Sequence, residues 1–447
     1  MNLLTNGRVI TRDEGGKGYY EKGAVAYEGT KIVEVGEEAA LRAKYPQAEI
    51  IDAKGGVIMP AFINAHTHIY SALARGLSIV GNNPTNFYEV LDGTWWAMDR
   101  KLTLEGSRAS ADALYIDCIK QGVTTIFDHH AAYCEIPGSL FQIGESAKKF
   151  GIRSCLCYEV SDRDGEEKCL QAIKENADWI TYCEQQKDPM LAAMFGGHAL
   201  FTISDKTFDR MVEANNGRTG YHIHVSEGMN DVYDSLQNYG RRPVQRLHDH
   251  GILGEKTILG HCIHVNTAEM EIIKETGTMV VNNPESNMGN AIGICPVIQL
   301  YKRGILLGMG TDQYTNDMLE SIKVALCSQR SQNCLPNVGW CEVTDMLFKN
   351  NAKIGEKYFP DTLGVLKPGA AADIIVMDYK PFTPFSDENI DGHMIFGMTG
   401  RQCQTTIAAG KTLMLDRELV GIDEEAENAH ILEAAKKLWG ELNHRTY

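Results

Sequence analysis

Residues 57–68 read VIMPAFINAHTH, an apolar run that ends in two histidines separated by one residue. Alternate residues of a β-strand face the same side, so His66 and His68 are predicted to point the same way at the end of a strand. Two imidazoles on one face can bind a single metal ion. An HxH pattern also arises by chance, so this interpretation depends on what the rest of the chain brings to the same place.

Seven further apolar runs follow the first, and segments with helical periodicity separate them, such as SADALYIDCIKQG at 110–122. The eight runs occupy residues 57–68, 123–130, 152–160, 190–199, 221–227, 257–264, 279–286 and 305–312. Alternating strands and helices are typical of a parallel sheet, and eight such units close a barrel. The sequence therefore predicts an α/β fold, a (β/α)8 TIM barrel over residues 57–365.

The two ends of the chain have a different character from the middle. Residues 1–56 and the segment after 365 both contain short strand-like pieces divided by glycine and proline. The last part, DEEAENAHILEAAKKLWGELN at 423–443, has the pattern of an amphipathic helix. We expect a small β-sandwich built from both chain ends, with residues 1–56 as its N-terminal part and 366–447 as its C-terminal part plus a terminal helix.

Composition excludes several classes of function. The 447 residues carry a net charge of −16 without a basic stripe, which argues against nucleic-acid binding. The chain contains no signal-peptide pattern and no apolar stretch of about 18 residues, which argues against a membrane protein. Its 12 cysteines are scattered and are expected to be reduced thiols. These features predict a cytoplasmic protein.

Chemically competent side chains occur where the predicted strands end. In a TIM barrel the carboxyl ends of the strands form the mouth of the active site. Besides His66 and His68, the later runs end in or near His198, His224, Glu227, His261 and Asp312. Chance explains one such residue easily but explains poorly a series of them at successive strand ends. The sequence therefore predicts a metal site at this mouth.

Four other histidines near strand ends are less informative. His222 and His264 are expected to lie in the core or behind the metal ligands. For His129 and His130, which end the second run, the sequence leaves open whether they line a pocket or pack in the core.

Several strings, taken together and in order, resemble the amidohydrolase superfamily, in its deaminase and chlorohydrolase branch. They are PAFINAHTHIYSALARG at 60–76, HIHVSEG at 222–228, GHCIH at 260–264, NPESN at 283–287 and GTD at 310–312. The resemblance covers essentially the whole chain. Within the branch, the sequence is most similar to the SsnA-type aminohydrolases, a group linked to purine breakdown. It implies a hydrolase that uses a metal-activated water on non-peptide carbon–nitrogen bonds, of the deaminase type, in a purine-derived or related N-heterocycle.

The same resemblance implies one divalent metal ion. Its ligands would be His66, His68, His224 and Asp312, which leave a position open for water. Zinc fits this ligand set best, and iron is the alternative. Binuclear relatives bridge two metals with a lysine after the fourth strand. This chain has no lysine there before Lys206.

The resemblance also implies catalytic roles. Glu227 would shuttle protons, His261 would orient the water and polarise the substrate, and Asp312 would accept a proton as well as bind metal. His198 would contact the substrate together with His261. Asn282 departs from the pattern, because many relatives have histidine there, and this difference limits the transfer of any specific substrate.

Two alternatives stay open at this stage. A triazine-type chlorohydrolase would use the same activated water, and a non-catalytic metal-binding barrel would need neither a proton shuttle nor an open position. The zinc cytidine-deaminase signature, HxE with PCxxC, is absent from the sequence. The expected partner is a small N-heterocyclic substrate, and the resemblance suggests a homodimer.

Overall fold

The computed structural model describes residues 1–312 and 314–447 and has a mixed α/β fold with parallel sheets. The strands are β1 (Asn2–Ile10), β2 (Tyr19–Glu28), β3 (Lys31–Glu37), β4 (Glu49–Asp52), β5 (Val57–Pro60), β6 (Phe62–Thr67), β7 (Val123–His130), β8 (Arg153–Tyr158), β9 (Leu191–Ala193), β10 (Phe195–Ala199), β11 (Tyr221–Val225), β12 (Ile258–His261), β13 (Met279–Asn282), β14 (Leu307–Met309), β15 (Ile374–Met377), β16 (Cys403–Ala408), β17 (Lys411–Leu415) and β18 (Glu418–Leu419).

The helices lie mainly between these strands. They are α1 (Glu38–Lys44), α2 (Phe87–Val90), α3 (Trp96–Asp99), α4 (Leu104–Lys120), α5 (Ser139–Phe150), α6 (Glu166–Gln186), α7 (Asp205–Asn215), α8 (Met229–Tyr239), α9 (Pro243–Asp249), α10 (Thr267–Glu275), α11 (Pro284–Gly289), α12 (Val297–Lys302), α13 (Met318–Asn333), α14 (Trp340–Asp345), α15 (Asn351–Gly355), α16 (Ile390–Gly397) and α17 (Glu424–Asn443). Short 3₁₀ or π-helical turns span Ile69–Ala74, Leu91–Trp95, Leu200–Thr202, Met346–Asn350 and Gly400–Gln402.

Short polar residues cap the start of five of the helices. The side chains of Thr103, Ser204, Asn266, Asp317 and Asp423 each accept a hydrogen bond from a backbone N–H in the first turn of α4, α7, α10, α13 and α17. These caps satisfy N–H groups that have no partner within the helix. No helix of the described ranges is long and apolar enough to cross a lipid bilayer.

The two ends of the chain combine in one mixed sheet of nine strands within the described residues. Its order is β18-β17-β16-β15-β5-β1-β2-β3, and β4 pairs with the first half of β1. Strands from both ends share one buried cluster, which includes Leu4, Val25, Ile58, Ile374 and Ile407. Burial of these aliphatic side chains holds the first and last parts of the chain together.

The run at 57–68 forms two strands in two different sheets. Val57–Pro60, β5, pairs with β1 and β15 in the chain-end sheet, whereas Phe62–Thr67, β6, pairs with β7. Pro60 has no N–H to continue a ladder. The next two amides change partners, because Ala61 donates to the backbone oxygen of Asp373 and Phe62 to that of Gly122.

The middle of the chain forms two parallel sheets that follow chain order. The first is β6-β7-β8-β9 and the second is β10-β11-β12-β13-β14. An isolated parallel bridge between Val160 and Gly197 joins the sheets on one side, and another between Thr67 and Asp312 joins them on the other. The predicted alternation of parallel strands with helices is confirmed.

A buried ion pair connects the first parallel sheet to the chain-end sheet. Arg153, in β8, donates from Nη1 to the carboxylate of Asp373, which directly precedes β15. The Arg153 side chain is fully buried, and the other carboxylate oxygen of Asp373 accepts from the backbone N–H of Ala409.

We expect Asp373→Asn to destabilise the fold, because it leaves the buried Arg153 guanidinium only the more distant carboxylate of Asp361, 3.6 Å from Nη2. Removal of one partner of a buried pair costs roughly 3–5 kcal/mol of unfolding free energy. Chemical denaturation monitored by circular dichroism measures the loss. The matched control is Asp416→Asn, which breaks the exposed pair with Lys54 and should change stability by about 1 kcal/mol or less. Equal effects of the two substitutions would contradict this reading.

Candidate metal and active site

The side chains predicted from the strand ends come together at the carboxyl ends of the parallel strands. His66 and His68 lie at and just after the end of β6, His224 lies in β11, and His261 is the last residue of β12. Asp312 follows β14. All five side chains are buried. Because the strands are parallel, their carboxyl ends share one edge, and this geometry brings distant parts of the sequence to one point.

The separations between the predicted ligand atoms fit a single metal ion. Nε2 of His68 lies 2.9 Å from Oδ1 of Asp312 and 3.2 Å from Nε2 of His224. Nε2 of His66 lies 3.7 Å from the same Asp312 oxygen and has no hydrogen-bond partner among the described residues. Two ligands at about 2.0–2.1 Å from zinc, at the tetrahedral angle, lie roughly 3.3 Å apart.

The far side of each ligand ring is held by an oxygen or nitrogen behind it. Nδ1 of His68 lies 2.5 Å from the backbone oxygen of His129, and Nδ1 of His224 lies 2.9 Å from that of His198. A backbone oxygen accepts only, so each Nδ1 carries the proton and each Nε2 presents a lone pair. Such contacts behind the ligands are usual in metal sites. The donor set therefore fits a divalent cation.

His222 supports His66 from behind. Nε2 of His222 lies 2.8 Å from Nδ1 of His66, and both side chains are fully buried. With His66 Nδ1 engaged there, its Nε2 faces Asp312. His222 thus lies behind a predicted ligand, where the sequence places it.

Asp312 also takes part in a second set of contacts, with His261 and Glu227. Nε2 of His261 lies 3.6 Å from Oε1 of Glu227 and 4.0 Å from Oδ2 of Asp312. Nδ1 of His261 lies 2.7 Å from the side-chain oxygen of Asn287, and the Ser286 hydroxyl donates to Oδ2 of Asp312. His261 therefore keeps its Nε2 toward the two carboxylates.

The two carboxylates have opposite pKa shifts. Burial raises the pKa of Glu227 well above its usual range, and the charge of Asp312 raises it further. Burial also disfavours ionised Asp312, but contacts with His66 and His68 outweigh it and hold the pKa of Asp312 well below its usual range. Neighbouring carboxyls with separated pKa values can hold and accept a proton at the same pH.

The backbone is strained at two of these residues. His261 has φ 68° and Asp312 has φ 55°, in the left-handed region that residues other than glycine rarely adopt. Both residues stand where the strand ladder ends. Strain of this kind costs on the order of 1–3 kcal/mol and collects at functional sites.

A pocket of about 410 Å³ opens over this cluster. The segment that includes α2, the π-helical turn and α3 covers one side with Phe87, Leu91, Trp95 and Trp96. The remaining lining residues are His68, Tyr70, Glu159, His198, His224, Glu227, His261, Asn290 and Asp312. Every predicted site residue except His66, which lies beneath, lines this pocket, and its aromatic wall suits a flat ring.

Glu159 is a pocket residue that the sequence reasoning missed. It directly follows β8 and is almost completely buried. Its carboxylate lies 3.4 Å from Nδ1 of His129, 3.8 Å from Nη2 of Arg163 and 4.0 Å from Nε2 of His198. Burial disfavours its charge, but His198, His129 and Arg163 together hold the pKa of Glu159 below its usual range. Its position at the end of a predicted strand was the signal that could have identified it.

The remaining candidates have supporting positions. Nε2 of His129 lies 3.0 Å from the backbone oxygen of Gly197, and half-buried His264 contacts the backbone oxygen of Ile292. Asn282 accepts from the side-chain amide of Asn287, the residue that contacts His261, and so lies one step behind the pocket.

Comparisons with known proteins identify the family of the chain. The profile of the amidohydrolase family matches residues 57–413, and that of a bacterial imidazolonepropionase-like composite domain matches residues 23–48. A 5'-deoxyadenosine deaminase of Methanosarcina mazei is 29% identical over 453 residues, with 99% of each chain covered. A 5-methylthioadenosine/S-adenosylhomocysteine deaminase of Thermococcus onnurineus is 31% identical, with 89% of this chain and 91% of the relative covered.

Solved structures share the fold. An adenosine deaminase from Xanthomonas campestris with bound zinc superposes with a TM-score of 0.84 at 22% identity and covers 98% of both chains. Atrazine chlorohydrolase from Arthrobacter aurescens TC1, complexed with zinc, gives a TM-score of 0.81 at 22% identity, with 97% of this chain and 100% of that chain covered. The strand-end histidines, the family match and the full-length relatives all lead to one conclusion: the chain belongs to the amidohydrolase family.

Proposed function

We propose that this protein is a metal-dependent aminohydrolase that removes an amine from a purine-derived or related N-heterocycle. The observation that carries the proposal is the convergence of three imidazole nitrogens and the Asp312 carboxylate beside Glu227 and His261, under a pocket with aromatic walls. The named activities of the full-length relatives support the reaction type. Purine-derived rings are flat and carry exocyclic amines, which suits this pocket.

We assign one divalent ion to His66, His68, His224 and Asp312, with zinc favoured and iron as the alternative. A bound ion of this kind lowers the pKa of a water molecule and supplies the nucleophile near neutral pH. Glu227 lines the pocket beside these residues and would meet such a water there. A site with an open position is typical of catalytic and not of structural zinc.

The protein's own residues then move protons and hold the substrate. Glu227 takes a proton from the attacking water and delivers it to the leaving nitrogen. His261, fixed through Nδ1, hydrogen-bonds the water and the substrate with Nε2. Asp312 accepts a second proton, and His198 contacts the ring from the pocket wall.

The site also distinguishes this proposal from the alternatives. A purely structural metal site would not need Glu227, whose carboxylate lines the pocket 3.6 Å from Nε2 of His261. A triazine-type chlorohydrolase would release chloride from a chlorinated ring, whereas the proposed enzyme releases ammonia. Assay of both products on matched amino- and chloro-substituted rings separates the two reactions.

We also propose a finer architecture. The eight strand positions from β6 to β14, with β9 and β10 sharing one position, close as a barrel through the Thr67–Asp312 bridge. The chain-end sheet folds into a sandwich, since Tyr27 of β2 and Thr412 of β17 contact each other although four strands separate β2 from β17 in the sheet. We propose residues 1–56, 57–365 and 366–447 as the domain boundaries. The strand β5 lies within 57–365 in the sequence but pairs with β1 and β15 of the chain-end sheet.

The assembly is proposed to be a homodimer, as the family resemblance suggests. Light scattering at micromolar concentration should give twice the mass of the 447-residue chain. A monomer mass would overturn the assignment.

Substitution of a ligand should remove metal and activity together. We expect purified protein to carry about one divalent ion per chain, in keeping with one four-ligand site. His66→Ala should empty the site, because three donors remain in a geometry built for four. Elemental analysis and circular dichroism on the same sample separate metal loss from unfolding. Two ions per chain at full occupancy would contradict the single-ion proposal, and the control His264→Ala should retain the metal.

Glu227→Gln should separate chemistry from metal binding. The amide is nearly the same size but cannot take or return a proton. Turnover, measured as ammonia release, should fall by roughly a hundredfold to ten-thousandfold while metal content stays near that of the wild type. Near-normal turnover would show that the proton shuttle is elsewhere, and loss of metal would make Glu227 a ligand.

A further inference from the structure

One wall of the pocket presents two acceptor atoms side by side. Glu159 follows β8 and His198 lies in β10, and the bridge between Val160 and Gly197 makes these strands neighbours. Oε1 of Glu159 and Nε2 of His198 are 4.0 Å apart, and both residues line the pocket. Two N–H donors on adjoining atoms of a ligand can reach such a pair together.

The hydrogen-bond network fixes His198 as an acceptor toward the pocket. The Thr202 hydroxyl donates to the backbone oxygen of Ala199 at 3.0 Å and lies 2.7 Å from Nδ1 of His198. Since the hydroxyl hydrogen is already used, Nδ1 must carry the proton in that contact. A neutral ring with its proton on Nδ1 presents a bare lone pair at Nε2, the nitrogen on the Glu159 side.

Glu159 likewise keeps acceptor capacity for a ligand. The nearby Arg163 guanidinium binds the Asp99 carboxylate through both terminal nitrogens and lies 3.1 Å from Asp164. Its distance to Glu159, 3.8 Å, exceeds a hydrogen bond. His129 approaches one oxygen of Glu159 at 3.4 Å. An ionised carboxylate has about four lone-pair sites, so acceptor sites remain for the pocket.

The acceptor pair lies close to the reacting centre. Ligand atoms of Glu159, His198 and His224 all lie within 4.8 Å of one another, and His224 is a proposed metal ligand. A group that contacts Glu159 therefore lies next to the carbon under attack. A substituent on the far side of a bicyclic ring, such as a sugar, would not reach it.

We propose that Glu159, with His198, selects rings that carry a ring N–H beside the amine-bearing carbon. This inference rests on the proposed function. An aminated lactam of the guanine type has this N–H. A ring whose nitrogen at that position is a bare acceptor, of the adenine or 2-aminopurine type, would place its lone pair against the Glu159 carboxylate. Like-signed contacts of this kind are a usual means of rejecting a near analogue. The specificity-determining residue is Glu159, because only its charge makes the wall strictly an acceptor.

Guanine and 2-aminopurine are a matched pair of probes. Both carry the same 2-amino group, but only guanine has the adjoining ring N–H. We expect the zinc-loaded enzyme to favour guanine by roughly tenfold to a hundredfold, the worth of one hydrogen bond to a charged group. Dissociation constants from calorimetry in a Glu227→Gln background give the preference without turnover, and ammonia release by the wild type gives the ratio of kcat/KM.

Glu159→Gln should collapse this preference to within about threefold, because the amide can donate as well as accept. The loss should fall on Kd and KM, with metal content unchanged. Glu175→Gln is the control: Glu175 is also a buried glutamate, but it caps the start of α5 through the N–H groups of Gly138 and Leu140, away from the pocket. It should leave the preference intact.

The outcomes separate the two proposals. A preference for guanine in binding that Glu159→Gln abolishes, without ammonia release from any aminated ring, would sustain the selection by Glu159 and sink the proposed function. Ammonia release together with equal or better use of 2-aminopurine would sustain the proposed function and sink the selection by Glu159. Binding of neither probe at millimolar concentration, or an unchanged preference in Glu159→Gln, would overturn the role of Glu159.

Discussion

The rest of the site depends on the close approach of buried imidazoles and one carboxylate at the ends of the parallel strands. Nε2 of His66 and of His68 face the Asp312 carboxylate, Nε2 of His68 lies 3.2 Å from that of His224, and backbone oxygens behind His68 and His224 keep the proton of these two rings on Nδ1. Acceptors at such separations in a buried place are unfavourable unless a cation lies between them. The fold therefore places these side chains where they suit the binding of a cation.

The fold meets this constraint with backbone geometry more than with long side chains. Parallel strands bring the ligands to one edge, and carbonyl groups of neighbouring strands orient two of the rings. Left-handed backbone at His261 and Asp312 turns these side chains inward where the ladder ends. Each device is local to one strand end, so the site is assembled from parts that form independently.

That local origin explains how much of the site could be predicted from the sequence. His66, His68, His224, His261 and Asp312 all end apolar runs, and strand periodicity with parallel topology is enough to bring them together. Other features depend on contacts between distant segments. The aromatic wall follows from the path of the chain after β6, and the division of the first run between two sheets follows from the partners that the chain ends supply. Glu159 also lies at the end of a predicted strand, but a lone glutamate matches no metal motif. Its proposed role depends on its contact with His198, which the sequence does not show.

The hydrogen bonds between the end of β6 and the segment at Asp312 have a consequence for how the protein folds during its synthesis. The backbone oxygen of His66 accepts from the N–H groups of both Thr311 and Asp312, and the Thr67 hydroxyl donates to the backbone oxygen of Asp312, 245 residues later. During synthesis on the ribosome, the histidine pair emerges long before its carboxylate partner. Closing so long a loop costs entropy that local contacts do not recover. Completion of the proposed metal site is therefore one of the last events in biogenesis, and a nascent chain stalled before the eighth strand would expose His66 and His68 without Asp312.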